Sequence, residues 1–438
     1  MIIKNGLALV GLPGRRTFRE VSIAIEENKI AQIGEFRELK REYGGEVYDA
    51  KGALILPGFP NSHMHSAMSL MRGIPDGLTL DEWVKGYIWP FEKSLTDEYS
   101  YLGAAVATLE SVRNGITLVN EMHLNIESVA RSFEDIGIRS VLSVPMMDAP
   151  GSLYEDSKSA MEANRNLFRM VERSSGRLKA RFGPCTIRLA SKNLLEMIAD
   201  EYREMKKEGK RSGIHMHLCE VKEDVEFSKM NYGMSPAEFL YKIGILNEDA
   251  IFAHCVHLDE KDISLLARSG CSVAHCLSSN LKLRSGLANL PMMLSKGVNV
   301  SLGIDDTASN DTADMLREAR LVALVHAQFS GFVDAPIANR ILECIYSGAR
   351  ALNVKAGVIA KGYLADIIVM KRGLQHFPGK NKIGELIYSA DGRNVNTVIV
   401  DGKFVIRDGE FTNVNEEKLL ERAQKASERI WDIVEKRI

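Results

Sequence analysis

The chain has 438 residues, of which 45% are hydrophobic and 26% charged, and its formal net charge is −2 at pH 7. That length suits one large domain with a smaller companion, and the mixture is that of an ordinary globular protein. The near-zero charge gives no electrostatic case for nucleic acid or an anionic membrane surface, and no apolar run reaches the ~18 residues of a membrane helix.

The start, Met1-Ile2-Ile3-Lys4-Asn5-Gly6, turns too early for a signal peptide and reads as strand and turn. Val21-Ser22-Ile23-Ala24-Ile25 and Lys29-Ile30-Ala31-Gln32-Ile33-Gly34 alternate with period two around a Glu-Asn turn. Residues 1–56 are therefore expected to form the first part of a small β domain. Asp366-Ile367-Ile368-Val369-Met370 and the segment from Asn396 to Ile406, with Asp401-Gly402 at its hairpin turn, predict the second part over 361–414. Both termini would thus build one small β-sandwich. The stretch 415–438 has helical spacing and mixed charge, as in a surface helix.

Residues 57–360 alternate short apolar strands with amphipathic helices. Strands are predicted at Leu54-Ile55-Leu56, Ile116-Thr117-Leu118-Val119, the run Arg139 to Val144, Ala180-Arg181-Phe182-Gly183, the run Gly213 to Leu218, Ile251-Phe252-Ala253-His254, Ser272-Val273-Ala274-His275 and the run Val298 to Gly303. Eight strand–helix units predict an α/β fold of the (β/α)₈ TIM-like barrel type, with its chemistry at the C-terminal strand ends. The six cysteines, Cys185, Cys219, Cys255, Cys271, Cys276 and Cys344, contain no CxxC pair. They read as reduced, mostly buried thiols of a cytoplasmic protein.

Polar residues gather at those strand ends. His63 and His65 lie two apart in an extended segment, so their rings point the same way and can converge on one metal ion. His217 ends its strand, with Glu220 three residues on, close enough to handle protons. His215 points the same way one pleat deeper, behind the site or in packing. His254 ends the next strand, within reach of a metal's water, whereas His257 reads as a helix-entry residue. Asp305 is the first carboxylate after the last apolar run and can serve as ligand and base; Asp306 is its rival. His123 also follows a strand end. Ser279 and Asn280 are expected to shape a loop through side-chain to backbone bonds, with a substrate contact as the alternative for Asn280.

The order His63-Met64-His65, His217 with Glu220, His254, then Gly303-Ile304-Asp305 resembles the amidohydrolase superfamily. The likeness is to the branch of methylthioadenosine or S-adenosylhomocysteine deaminases and triazine hydrolases, and it spans nearly the whole chain. Met71-Arg72-Gly73, Leu80-Asp81-Glu82-Trp83 and Trp89-Pro90-Phe91-Glu92 resemble the family's substrate loop. Gly362-Tyr363-Leu364-Ala365-Asp366 resembles its return to the small β domain. The resemblance implies one divalent metal, zinc first and iron second, on His63, His65, His217 and Asp305. It implies catalytic roles for Glu220, His254 and Asp305, and a sugar-hydroxyl contact for Glu92. No Cys-x-x-Cys element of the nucleic-acid base deaminases is present.

One departure concerns the substrate. Purine-nucleoside members carry a histidine after Gly-Pro, where this chain has Gly183-Pro184-Cys185, and a thiol is a poor partner for a purine nitrogen. The loop from Val144 to Ser152 has no arginine for the far end of a substrate; Arg188 is the candidate substitute. These features favour a smaller or differently shaped aminated heterocycle over S-adenosylhomocysteine. The expected activity is metal-dependent deamination of an aminated N-heterocycle or its adenosine-like nucleoside, with ammonia released. The alternatives are hydrolysis of a chloro, alkylamino or cyclic amide substrate, and a barrel scaffold without catalysis. The expected partner is a small heterocyclic molecule, without nucleic acid or membrane. Oligomeric state stays open, a homo-oligomer included.

Overall fold

Pro57 and Gly58 divide two sheets. The computed structural model describes residues 1–150, 152–210, 212–328 and 336–436. Before the break, Leu54–Pro57 is fully buried, but it pairs with Ile2–Val10 and Ile367–Met370 rather than with a barrel strand. The barrel strand expected at Leu54-Ile55-Leu56 lies instead at Phe59–Met64, here β1. A short apolar run suits the interior of either sheet, so its pattern does not say which partner it takes.

The terminal unit, expected as a sandwich, is hydrogen-bonded as one mixed nine-stranded sheet. Its two contributions meet where Leu54–Pro57 lies antiparallel to Ile367–Met370. One side of the sheet packs a core of its own, including Ile3, Ile23, Ile55, Ile367 and Ile399. Buried Arg139 ties sheet to barrel, with Nε 2.8 Å from Asp366 Oδ2 and Nη2 2.8 Å from Asp401 Oδ1.

After β1 come Ile116–Met122 (β2), Arg139–Ser143 (β3), Leu178–Ala180 (β4), Ile214–Leu218 (β5), Ala250–His254 (β6), Ser272–His275 (β7) and Asn299–Leu302 (β8). β1 to β4 and β5 to β8 form two parallel runs of four. Two seams close them into a barrel. Just beyond β4, Phe182 N donates to Gly213 O at 2.9 Å and accepts at its carbonyl from His215 N at 2.8 Å. Just beyond β8, Asp305 N donates to His63 O at 3.0 Å and Asp305 O accepts from His65 N at 3.2 Å. The second seam sets His63, His65 and Asp305 side by side through the backbone alone. Gly303 permits it: a Cβ there would stand 2.7 Å from Cys276 Sγ and 3.0 Å from His63 Cβ.

The C-terminal helix is Glu416–Glu435; the last two residues of its expected span, 437–438, lie outside the described residues, as do 151, 211 and 329–335 of the expected barrel. Leu419, Ala423, Ala426, Ile430 and Val434 form its buried face. Ser427 Oγ donates to Leu70 O at 2.7 Å, and the Trp431 and Tyr87 rings pack with centroids 6.4 Å apart. The helix therefore braces the 80–92 segment that covers the barrel mouth. Among the described residues no helix is long and apolar enough to cross a membrane.

Candidate active site

Strand ends converge at the C-terminal mouth of the barrel. The ligand atoms of His63, His65 and His217 lie within 4.8 Å of one another, and so do those of His63, His254 and Asp305. Two ring protons can be assigned from their partners. His65 Nδ1 is 2.6 Å from Met122 O, and His217 Nδ1 is 2.9 Å from Cys185 O. A carbonyl only accepts, so each Nδ1 carries the proton and each Nε2 is left as a lone pair. Those two Nε2 atoms face each other at 3.1 Å. His63 Nε2 is buried without a hydrogen-bond partner, 3.3 Å from Asp305 Oδ1. Behind it, His63 Nδ1 is 2.8 Å from His215 Nε2.

Lone pairs and a carboxylate oxygen converging in a buried space repel one another unless a cation sits between them. A tetrahedral ion with bonds of ~2.0–2.1 Å holds its ligand nitrogens about 3.3 Å apart. The donor set of three imidazoles and one carboxylate therefore fits a divalent metal. Burial lowers His63 to about 4 and lowers His65 and His217 as well, so all three are neutral near pH 7, the form that ligates.

Burial acts to raise the Asp305 carboxyl, but the imidazoles of His63, His254 and His65 facing it hold it well below the usual range. Ser279 Oγ donates to its Oδ2 at 2.6 Å. Asp306 turns away to its own loop, accepting from Ala308 N at 2.7 Å, Ser309 N at 2.8 Å and Ser309 Oγ at 2.8 Å. His254 and Asp305 both have left-handed backbones, with φ of 69° and 65°. Such strain in non-glycine residues costs on the order of 1–3 kcal/mol and clusters at functional sites.

His254 Nε2 is 3.7 Å from Glu220 Oε2. Burial raises Glu220 to about 7, with smaller contributions from neighbouring charges. Burial alone would lower His254, but facing Glu220 and Asp305 outweighs it and raises this imidazole. Ser285 Oγ donates to Glu220 Oε1 at 3.3 Å.

A cavity of about 250 Å³ opens over this cluster, walled partly by Trp83, Val84, Ile88 and Trp89 of the covering segment. Glu92, Cys185 and Arg188 line it. Glu92 is pushed up to about 7 by burial. Arg188 is already engaged: its Nε is 2.7 Å from Asp224 Oδ1 and its Nη1 4.0 Å from Asp81 Oδ1. Asn280 is fully buried and does not line the cavity; its Oδ1 lies 2.8 Å from His254 Nδ1. Its expected substrate contact is corrected accordingly, as is the loop-shaping role expected of Ser279 and Asn280. A short helix, Leu277–Lys282, follows β7 and aims both side chains back at Asp305 and His254.

His257 anchors to Ser285 O at 2.8 Å, and His123 Nδ1 to Leu124 O at 3.0 Å, with His123 lining the cavity. Sequence reasoning missed Ser143, Ser285 and the carbonyl partners of His65 and His217. Carbonyls leave no mark in side-chain identity, and the only trace of Ser143 is a small polar residue at the end of a barrel strand.

A model of the amidohydrolase family matches residues 54–405. The chain belongs to the amidohydrolase family. This amidohydrolase is 39% identical over 411 residues to a 5-methylthioadenosine/S-adenosylhomocysteine deaminase of Thermococcus sibiricus, covering 93% of this chain and 94% of the relative. It is 35% identical over 435 residues to a 5'-deoxyadenosine deaminase of Methanosarcina barkeri, covering 98% of each. The crystal structure of an adenosine deaminase from Xanthomonas campestris with bound zinc matches this amidohydrolase with a TM-score of 0.91 at 26% identity, over 98% of both chains.

Proposed function

We propose that this chain is a metal-dependent aminohydrolase that deaminates the adenine ring of an adenosine-like nucleoside, with zinc on His63, His65, His217 and Asp305. The observation that carries this reading is the pairing of a protonatable carboxyl, Glu220, with His254 beside two overlapping groups of three converging ligand atoms. The relatives that match over nearly their whole length act on adenosine-type substrates by name, and this narrows the ring to adenine.

A bound divalent ion lowers the pKa of water towards about 7 and so supplies a hydroxide-like nucleophile. The residues do the rest. Asp305 accepts the proton of the attacking water and delivers it to the departing amine. Glu220, raised to about 7, is protonated in a substantial fraction at neutral pH and donates to the ring nitrogen beside the attacked carbon. His254, held at Nδ1 by Asn280, donates from Nε2 as the imidazolium, the form favoured by Glu220 and Asp305 facing it, and stabilises the charge that develops on the oxygen added to that carbon. Glu92 accepts from sugar hydroxyls. The covering segment excludes water, which strengthens these interactions.

Loss of ammonia needs a proton delivered to the amine and a protonated ring nitrogen, which Asp305 and Glu220 provide; this favours an amine over a chloro leaving group. The test is ammonia release from 5'-deoxyadenosine, 5'-methylthioadenosine, S-adenosylhomocysteine, adenosine, guanine, cytosine and an aminotriazine, beside a chlorotriazine arm. Release from the adenine nucleosides is expected. Chloride release without ammonia would replace the reading with the halide alternative, and a metal-free, inert protein would leave the scaffold.

A further inference from the structure

His63 differs from the other two histidine ligands in what holds its ring proton. His65 and His217 give Nδ1–H to backbone carbonyls, which no substitution at those positions removes. His63 Nδ1 faces a side chain instead, His215 Nε2, at 2.8 Å. His215 Nδ1 is in turn 2.9 Å from Ser143 Oγ, and Ser143 Oγ is 2.7 Å from Glu121 O. All three side chains are fully buried.

The direction of this chain is set at its far end. Glu121 O can only accept, so the single hydroxyl proton of Ser143 goes there. Ser143 Oγ must then accept from His215 Nδ1–H. A neutral imidazole with Nδ1 protonated has a lone pair on Nε2, so His215 Nε2 accepts from His63 Nδ1–H. His63 Nε2 is thereby left as the lone pair directed at Asp305 and the other two ligands. Reversing any one bond would place two protons, or none, between a pair of buried atoms, which is costly.

We infer that Ser143 and His215 are positioning residues: they order protons one way along β3 and β5 and lock His63 in the tautomer whose Nε2 binds metal. Metal affinity is thus set in part at a serine two hydrogen bonds from the ion. The inference rests on the metal-site reading above. General experience with partners that orient metal-ligating histidines puts the loss on removing one at about 10–100-fold in affinity.

The direct test needs no variant. In metal-free protein with ¹⁵N-labelled histidine, long-range ¹H–¹⁵N correlation spectra should show His63 and His215 both protonated on Nδ1. Nε2 protonation of either ring would overturn the inference even if the metal reading stands. Chelator competition with zinc supplies the second readout. Ser143→Ala frees His215 to invert and should weaken zinc about 10-fold or more; unchanged affinity in a folded variant would also overturn the inference. His215→Gln can still accept from His63 and donate to Ser143, so it should bind zinc more tightly than His215→Leu. Equal losses in those two would reduce His215 to packing. A parent protein that takes up no zinc would instead sink the metal reading, while the spectra still decide the tautomer.

Discussion

His65 Nε2 and His217 Nε2 face each other across 3.1 Å, each with its ring proton committed to a backbone carbonyl on the far side. Two neutral acceptors held this way repel, so the folded site is under tension that a cation relieves.

Metal removal should therefore cost stability as well as activity. An ion that binds only the folded state stabilises it by about 2.7 kcal/mol at a free concentration 100 times its Kd. Dialysis against a chelator should lower the melting temperature by several degrees and abolish turnover, and zinc should restore both. A melting curve indifferent to chelator and zinc would contradict the site.

Glu220→Gln should keep its metal and lose about 10²–10⁴-fold in kcat. Metal content by mass spectrometry and ammonia release are the two readouts. In the proposed mechanism Glu220 donates in its protonated form, and its raised value of about 7 places the loss of that form near neutrality. kcat/KM should then fall as pH rises through about 7. A profile flat from pH 6 to 9 would exclude Glu220 as the donor.

Glu92 carries a cost for function. Its carboxyl is raised to about 7 by burial, against a usual 4.5, so folding favours the protonated form. The contribution to stability is present at low pH and is lost as pH rises from about 4.5 through 7. Glu92→Gln removes the penalty. Its melting temperature should exceed the parent's at pH 8, by the equivalent of about 1–3 kcal/mol, with a much smaller gain near pH 5. The same variant should raise KM for a nucleoside. Lower stability at pH 8 would show that the carboxylate is held by partners instead.

Asn280→Ala removes the acceptor from His254 Nδ1 without touching a metal ligand. About 10–100-fold should be lost in kcat with metal content unchanged, as for other partners that orient a catalytic ring. Asn280→Asp keeps an acceptor and should recover part of the rate. A rise in KM alone, with kcat preserved, would return Asn280 to substrate contact.

Residue identity and spacing alone carried much of this protein. Period-two runs at both ends and alternating strands and helices between them led to a terminal β unit and an eight-stranded barrel. The strand-end positions of His63, His65, His217, Glu220, His254 and Asp305 led to one metal-centred site. These features are local: strand alternation decides which way a side chain points, and a strand end decides which face of the barrel it reaches.

What crosses between strands was decided only by the tertiary structure. Leu54–Pro57 joined the terminal sheet because Ile2–Val10 and Ile367–Met370 are its hydrogen-bonding partners, and an apolar run does not record its partner. Asp305 rather than Asp306 faces the histidines because the seam with β1 pins its backbone between His63 and His65. Asn280 left the substrate wall for His254, and Arg188 was claimed by Asp224. The proton order at His63 depends on Ser143, 72 positions before His215. Hydrogen bonds over such separations are made by backbone geometry and burial, and neither is written at any single position of the chain.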